Sequence, residues 1–141
     1  MNELVPLSFH KILQSRSYTV MILGTEEKKF AIYAEPQVGH HLQVQISHAH
    51  PTRPSTFDLI KETFDGLGAK ILQVVINDVQ DTTYFARLFL EQTIGDQKQI
   101  LEIDARPSDC VILALTHKIP VFCTRDVLTR TVAINDPASS P

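Results

Sequence analysis

The sequence predicts an α+β fold. A single domain would hold an antiparallel or mixed β-sheet, made of an N-terminal hairpin plus a three-stranded meander, packed with two to three helices. Three observations carry this expectation. Strand-like, β-branched stretches gather in two runs, around residues 18–33 and 71–104. Two isolated segments carry helical signals, one of spacing and one of a proline start with an apolar body. Strands and helices do not alternate as βαβ units, which argues against a parallel α/β sheet. At 141 residues the chain supports one core, with the domain expected over residues 1–132 and a flexible tail over 133–141.

Residues 3–13 begin extended and are expected to be interrupted at Pro6. Tyr18–Leu23 reads as a strand, Gly24–Glu27 as a turn and Lys28–Tyr33 as the returning strand of a hairpin. Pro36 breaks the run. Val38–His48 fits a helix through Val38 and Leu42, but its valines and isoleucine also allow a strand. A loop with two prolines follows over His50–Pro54. Then Ser55, Thr56, Phe57 and Asp58 resemble a capping box. Behind it Phe57, Ile60, Phe64 and Leu67 recur at helical spacing, with Gly66 and Gly68 as the stop. Ile71–Val79, Tyr84–Glu91 and Gln99–Asp104 make the meander, turning at Gln80–Thr82 and Gly95–Asp96. In the middle strand Tyr84, Ala86, Leu88 and Leu90 face one way, and Phe85, Arg87 and Phe89 the other. Pro107–Lys118 is apolar nearly all round and should be a buried helix, followed by a short strand at Pro120–Cys123.

Composition narrows the function. With 43% hydrophobic residues the chain buries enough surface to fold, and its apolar runs are too short to span a membrane. No membrane partner is therefore expected. The N-terminus has no basic start followed by an apolar core, so a signal peptide is not expected and the cytoplasm is. Net charge is −3, with no basic slab in either half. DNA or RNA could then be bound only weakly, through a local basic pocket. Cys110 and Cys123 sit in apolar contexts and read as small buried hydrophobes in a reducing compartment. No Gly-rich phosphate loop, nucleophile elbow or zinc spacing occurs; the histidines read as surface or loop residues.

One feature stands out. Arg-Pro-Ser occurs twice, at Arg53–Ser55 and Arg106–Ser108, and each copy opens an expected helix. Each helix has an aspartate in its first turn, Asp58 and Asp109, which suits the positive end of the helix dipole. An arginine ahead of a helix N-terminus makes an anion-binding corner. The same residues could instead be joints, with the aspartates capping and pairing the arginines. Glu102 and Asp104 share one face of their strand, where two carboxylates suit a divalent ion, a solvated surface or an Asp–Arg pair.

The run from Leu101 to Cys110 reads L-E-I-D-A-R-P-S-D-C, followed by I-L-A-L at residues 112–115 and I-P-V-F at 119–122. This resembles the bifunctional nuclease domain family, whose hallmark is D-A-R-P-S-D-A. The family stretch R-P-x-T-H-D-L is matched by Arg53, Pro54, Thr56, Asp58 and Leu59. I-W-I-G-P-x-E-A is matched by Ile32, Tyr33 and Pro36, and V-L by Val127 and Leu128. The family's histidine in T-H-D is Phe57 here, and its glutamate in P-x-E-A is Val38. Some bacterial members carry a helical C-terminal extension that this sequence does not contain, so no docking through it is expected.

The resemblance implies a self-associating α+β domain that hydrolyses phosphodiester bonds of DNA and RNA. Carried over by position, Asp104, Arg106 and Asp109 would be catalytic. Arg53, Ser108 and Asp58 would hold the phosphate. If the reaction needs a metal, Asp104 and Asp109 would bind Mg2+ or Mn2+ through oxygen. The alternative is a non-catalytic module that binds an anion or a protein. A homodimer or homotrimer would cover the apolar meander face bearing Phe85 and Phe89.

Overall fold

The computed structural model describes residues 3–47 and 52–134. Three strands, β1 (Leu4–Gln14), β2 (Thr19–Gly24) and β3 (Lys29–Ala34), lead into helices α1 (Pro36–Ile46) and α2 (Thr56–Gly66). The meander follows as β4 (Ala69–Gln80), β5 (Thr83–Ile94) and β6 (Gln97–Ala105). Helix α3 (Pro107–His117), strand β7 (Val121–Thr124) and the short helix α4 (Arg125–Arg130) complete it. The expected fold class holds, with a fourth helix beyond the two to three expected. At six residues α4 is too short to show a period; it is set by the Thr124 hydroxyl, which accepts from the Val127 N–H. The start of the 50–54 loop and most of the expected tail lie outside the described residues, as do His48 and His50.

The strands form one sheet in the order β3-β2-β1-β7-β4-β5-β6. All neighbours are antiparallel except β4 and β7. The hairpin and the meander are joined through β1, which divides its partners. Leu4–Leu7 pairs with β7, whereas Ser8–Gln14 pairs with β2, with a bulge at His10. Pro6 therefore does not interrupt the strand. It pairs with Phe122 on β7, at a stretch where β1 has a neighbour on one side only, so its missing N–H breaks no second ladder.

Pro36 ends the hairpin as expected, with β3 stopping at Ala34. It occupies the first turn of α1, where a proline's fixed φ is pre-set for a helix. This resolves Val38–Ile46 as helix, not strand. Gly39 is buried in α1, and a Cβ built there would lie 1.5 Å from the Gln14 amide oxygen and 2.8 Å from Thr19 Oγ1. The glycine lets α1 lie close against β1 and β2.

The core lies between the sheet and the helices. Met21, Leu23, Phe30, Leu42, Val74, Ile76, Leu88, Leu90 and Ile112 are its centre. Alternation in β5 is as expected, with Ala86, Leu88 and Leu90 buried and Phe85, Arg87 and Phe89 half-buried on the opposite face. Cross-strand register carries that second face over the sheet, through Pro6, Phe122, Val75, Arg87 and Asp104. Helix α3 contributes Pro107, Ser108 and Cys110–Ala114 to the buried set.

Both cysteines are free and buried. Burial, reinforced by the Asp109 and Asp104 charges, pushes the Cys110 thiol up to about 12. Burial likewise pushes Cys123 up to about 11. An unfolded thiol titrates near ~8.5. The native state thus keeps protons that the unfolded chain releases. Their contribution to stability is complete below pH ~8.5 and is lost as pH rises towards the native values. The urea midpoint should fall between neutral pH and pH ~10.5, and Cys110→Ala should show a shallower fall. Equal slopes in the native chain and the variant would contradict this.

Candidate functional site

Helices α1 and α3 both begin with proline, and the residue before each proline is charged. Glu35 is the N-cap of α1 and Arg106 the N-cap of α3. The two N-termini meet. Arg106 Nη1 donates to Glu35 Oε1 at 3.3 Å, while its Nε and Nη2 donate to Asp109 Oδ2 and Oδ1 at 3.0 and 3.2 Å. The guanidinium is thus bound as a fork by Asp109 and singly by Glu35. Asp109 first, then Glu35, holds its pKa above the ordinary arginine value. The group nevertheless stays open to solvent, with the Arg106 side chain 62% exposed.

Neither helix start is closed by its own N-cap side chain. Two positive helix ends and one arginine therefore converge on one corner, and two carboxylates occupy it. A cleft of ≈ 290 Å³ adjoins it, lined by Tyr33, Glu35, Thr83, Tyr84, Arg106 and Ser108. Ser108 is buried, so its place is at the floor of this corner and not on its rim.

Thr19 fixes the position of Glu35. Its fully buried hydroxyl donates to the Glu35 carbonyl at 2.9 Å and accepts from the Gly39 N–H at 3.0 Å. Tyr84 forms the cleft's other wall, stacked on Phe30 with ring centroids 5.5 Å apart and hydrogen-bonded to Thr131. Sequence reasoning missed Glu35 and Thr19. The signal for Glu35 was present as a second charged residue directly before a helix-opening proline. Val38, where the family pattern has glutamate, is buried under α1; Glu35 comes from the N-cap position three residues earlier.

The second Arg-Pro-Ser corner is built otherwise. Ser55 Oγ accepts from the Asp58 N–H at 3.2 Å, and Asp58 Oδ2 accepts from the Ser55 N–H at 2.9 Å. The capping box is therefore complete, and Asp58 is committed to it. Asp58 Oδ1 also lies 3.8 Å from His117 Nε2, at the last turn of α3. Phe57 joins the helix packing, 5.8 Å from the His41 ring. Arg53 is exposed and makes no hydrogen bond or ion pair among the described residues.

The two corners thus flank opposite ends of α3. Its eleven residues separate them by about 15 Å at a rise of 1.5 Å each. Arg53 and Asp58 do not share a cleft with Arg106. Asp104 lies at the Arg106 end, but it pairs across the sheet with Arg87, on the face that carries Phe89 and Glu102. Glu102, on the same face as expected, is 3.8 Å from Arg87 Nε. Among the described residues no group of three or more His, Cys, Asp or Glu is placed to hold a metal ion. No helix among them is long and apolar enough to cross a membrane.

Comparison with known proteins matches residues 21–135 to the bifunctional nuclease domain model. An uncharacterised protein of Mycobacterium tuberculosis is 35% identical over 122 residues, covering 85% of this chain and 70% of that one. Bifunctional nuclease 2 of Oryza sativa subsp. japonica is 34% identical over 86 residues, and bifunctional nuclease 1 of Arabidopsis thaliana 30% identical over 80. Those matches cover 61% and 57% of this chain but only 26% and 24% of the plant proteins. The chain thus matches about a quarter of the plant relatives' length.

The completed capping box makes Ser55 a structural residue. Ser55→Ala should lower the unfolding free energy by about 1 kcal/mol, read from urea denaturation. An unchanged midpoint would mean the box contributes nothing to α2.

Proposed function

The chain belongs to the bifunctional nuclease domain family, and from that premise we propose that it hydrolyses phosphodiester bonds of DNA and RNA at the Arg106 corner. The observation that carries this reading is the meeting of two uncapped helix N-termini at an exposed arginine beside a cleft. Backbone N–H groups and a guanidinium at one point favour a phosphate and the charge that builds on it during hydrolysis.

In this reading Arg106 exchanges its carboxylate partners for phosphate oxygens. Asp109 takes a proton from the attacking water as its oxygen bonds to phosphorus. The ester P–O bond breaks, and the departing oxygen takes its proton from solvent water. Asp109 offers a hard oxygen donor that fits Mg2+ or Mn2+, an ion commonly held by one or two carboxylates and completed by water and phosphate. Such an ion would neutralise phosphate charge and acidify a water. Ser108 forms part of the pocket floor. Arg53, about 15 Å away, would contact phosphates several nucleotides along a strand.

A second reading has its own observation. Arg106 already satisfies two carboxylates, and the trio carries one net negative charge. On that reading the corner is a joint between α1 and α3 in a non-catalytic binding module.

Single-stranded DNA, duplex DNA and RNA should be incubated with Mg2+, Mn2+ or chelator. Native protein should cleave, and Arg106→Ala and Asp109→Asn should each lose about 10²-fold or more while remaining folded. Equal cleavage by native chain and variants would place the activity elsewhere, and no cleavage by any of them would favour the joint.

Self-association belongs to the same proposal. Phe85 and Phe89 are half-buried, and Ile100, on their face of the sheet, is 57% exposed. Sedimentation should show a homodimer or homotrimer that Ile100→Lys weakens; a monomer at every concentration would refute it.

A further inference from the structure

A second cleft, of ≈ 760 Å³, opens at the far end of α3 from Arg106. It lies between the end of α2, the start of β4 and the segment that follows α3. Its volume is in the range of small-molecule sites. Three lysines line it, Lys61, Lys70 and Lys118, in a chain whose net charge is negative. Its two carboxylates already have cations: Asp65 has Lys61 at 2.7 Å, and Glu91 has Lys98 at 3.8 Å. The side chains of Lys70 and Lys118 make no hydrogen bond or ion pair among the described residues. Ile71, Ile119 and Pro120 give the same cleft an apolar wall.

The backbone at Lys118 is a second, independent observation. It caps α3 in the left-handed conformation, with φ 56°. Glycine is the usual residue there, because a Cβ is strained in that region. A long cationic side chain held at a strained position, with no ion pair to it among the described residues, marks a residue kept for something other than the fold.

We propose that this cleft binds a nucleotide unit, with its phosphate between Lys70 and Lys118 and its flat base against Ile119 and Pro120. The site is separate from the Arg106 corner and does not depend on hydrolysis there. A free nucleotide and the end of a strand present the same chemistry, so both are tested.

The experiment is calorimetric titration of the full chain at low salt, in chelator, with adenosine 5′-monophosphate, a 5′-phosphorylated five-nucleotide thymidine strand, or inorganic phosphate. At least one nucleotide probe should saturate. Titrated in an Arg106→Ala background, which removes the phosphate site proposed at that corner, binding should weaken tenfold or more when Lys70→Ala/Lys118→Gly is added. Lys118→Gly alone should keep or raise the Tm while weakening binding, a pairing that a purely structural lysine would not give. Saturation by the mononucleotide identifies a free nucleotide as a source, and saturation by the strand alone identifies a strand end. Absence of binding by both probes, unchanged affinity in the double variant, or equal affinity for inorganic phosphate would overturn the proposal. Because cleavage is read separately, failure of this cleft leaves the Arg106 reading intact, and the converse holds too.

Discussion

Helix α3 is apolar on nearly every side, and the rest of the molecule is arranged to cover it. Seven of its eleven residues are buried, so no face is left to meet water. An amphipathic helix could lie on the sheet alone, but this one needs neighbours all round. Helices α1 and α2 flank it, and β4 and β5 lie beneath it. Burying side chains such as Val111, Ile112 and Leu113 contributes roughly 1.5–3 kcal/mol each. Its two ends then become the only polar parts of the element. Both candidate sites occur there, the Arg106 corner at its start and the lysine cleft at its end.

The first end shows how charge and helix dipoles act together. A helix N-terminus buried without a cap leaves N–H groups unsatisfied. Proline removes one of those groups, and the acidic Asp109 sits in the first turn of α3 where the dipole favours it. Arg106 then links α3 to α1 through Glu35, and the buried Thr19 hydroxyl holds the Glu35 backbone. Exposed ion pairs of this kind contribute little to stability, about 0–1 kcal/mol. That small value leaves Arg106 free to exchange partners at little cost, which suits a group that meets a ligand.

Local chemistry was the legible part of the sequence. Ser55–Asp58 announced its capping box, Tyr84–Leu90 its alternation, and Asp81 and Gly95 their turns, because each signal acts within a few residues. Pro6 was misjudged for the opposite reason. A proline breaks a strand only where its N–H is needed, and that depends on which neighbour is present. The site was half legible. Arg106, Asp109 and Ser108 came from a contiguous motif, whereas Glu35 is far away in sequence and reaches Arg106 only after α1 packs on α3. The repeat of Arg-Pro-Ser suggested one cleft with two arms. Sequence spacing could not show that α3 itself stands between the arms.

The divided strand β1 has a consequence for how the chain is made. Leu4–Leu7 waits for Val121–Thr124, and Glu3 for Arg125, so the two ends of the fold close last on one another. At a synthesis rate of about 5–20 residues per second the wait lasts on the order of ten seconds. During that time half of a strand stands without its ladder, and such an edge invites pairing with other chains. Pro6 lies in the middle of this waiting half. Lacking an N–H, it denies a foreign strand one of the bonds it would need along the edge turned away from β7, so the residue that looked like a break in the strand serves as a guard on that side during birth.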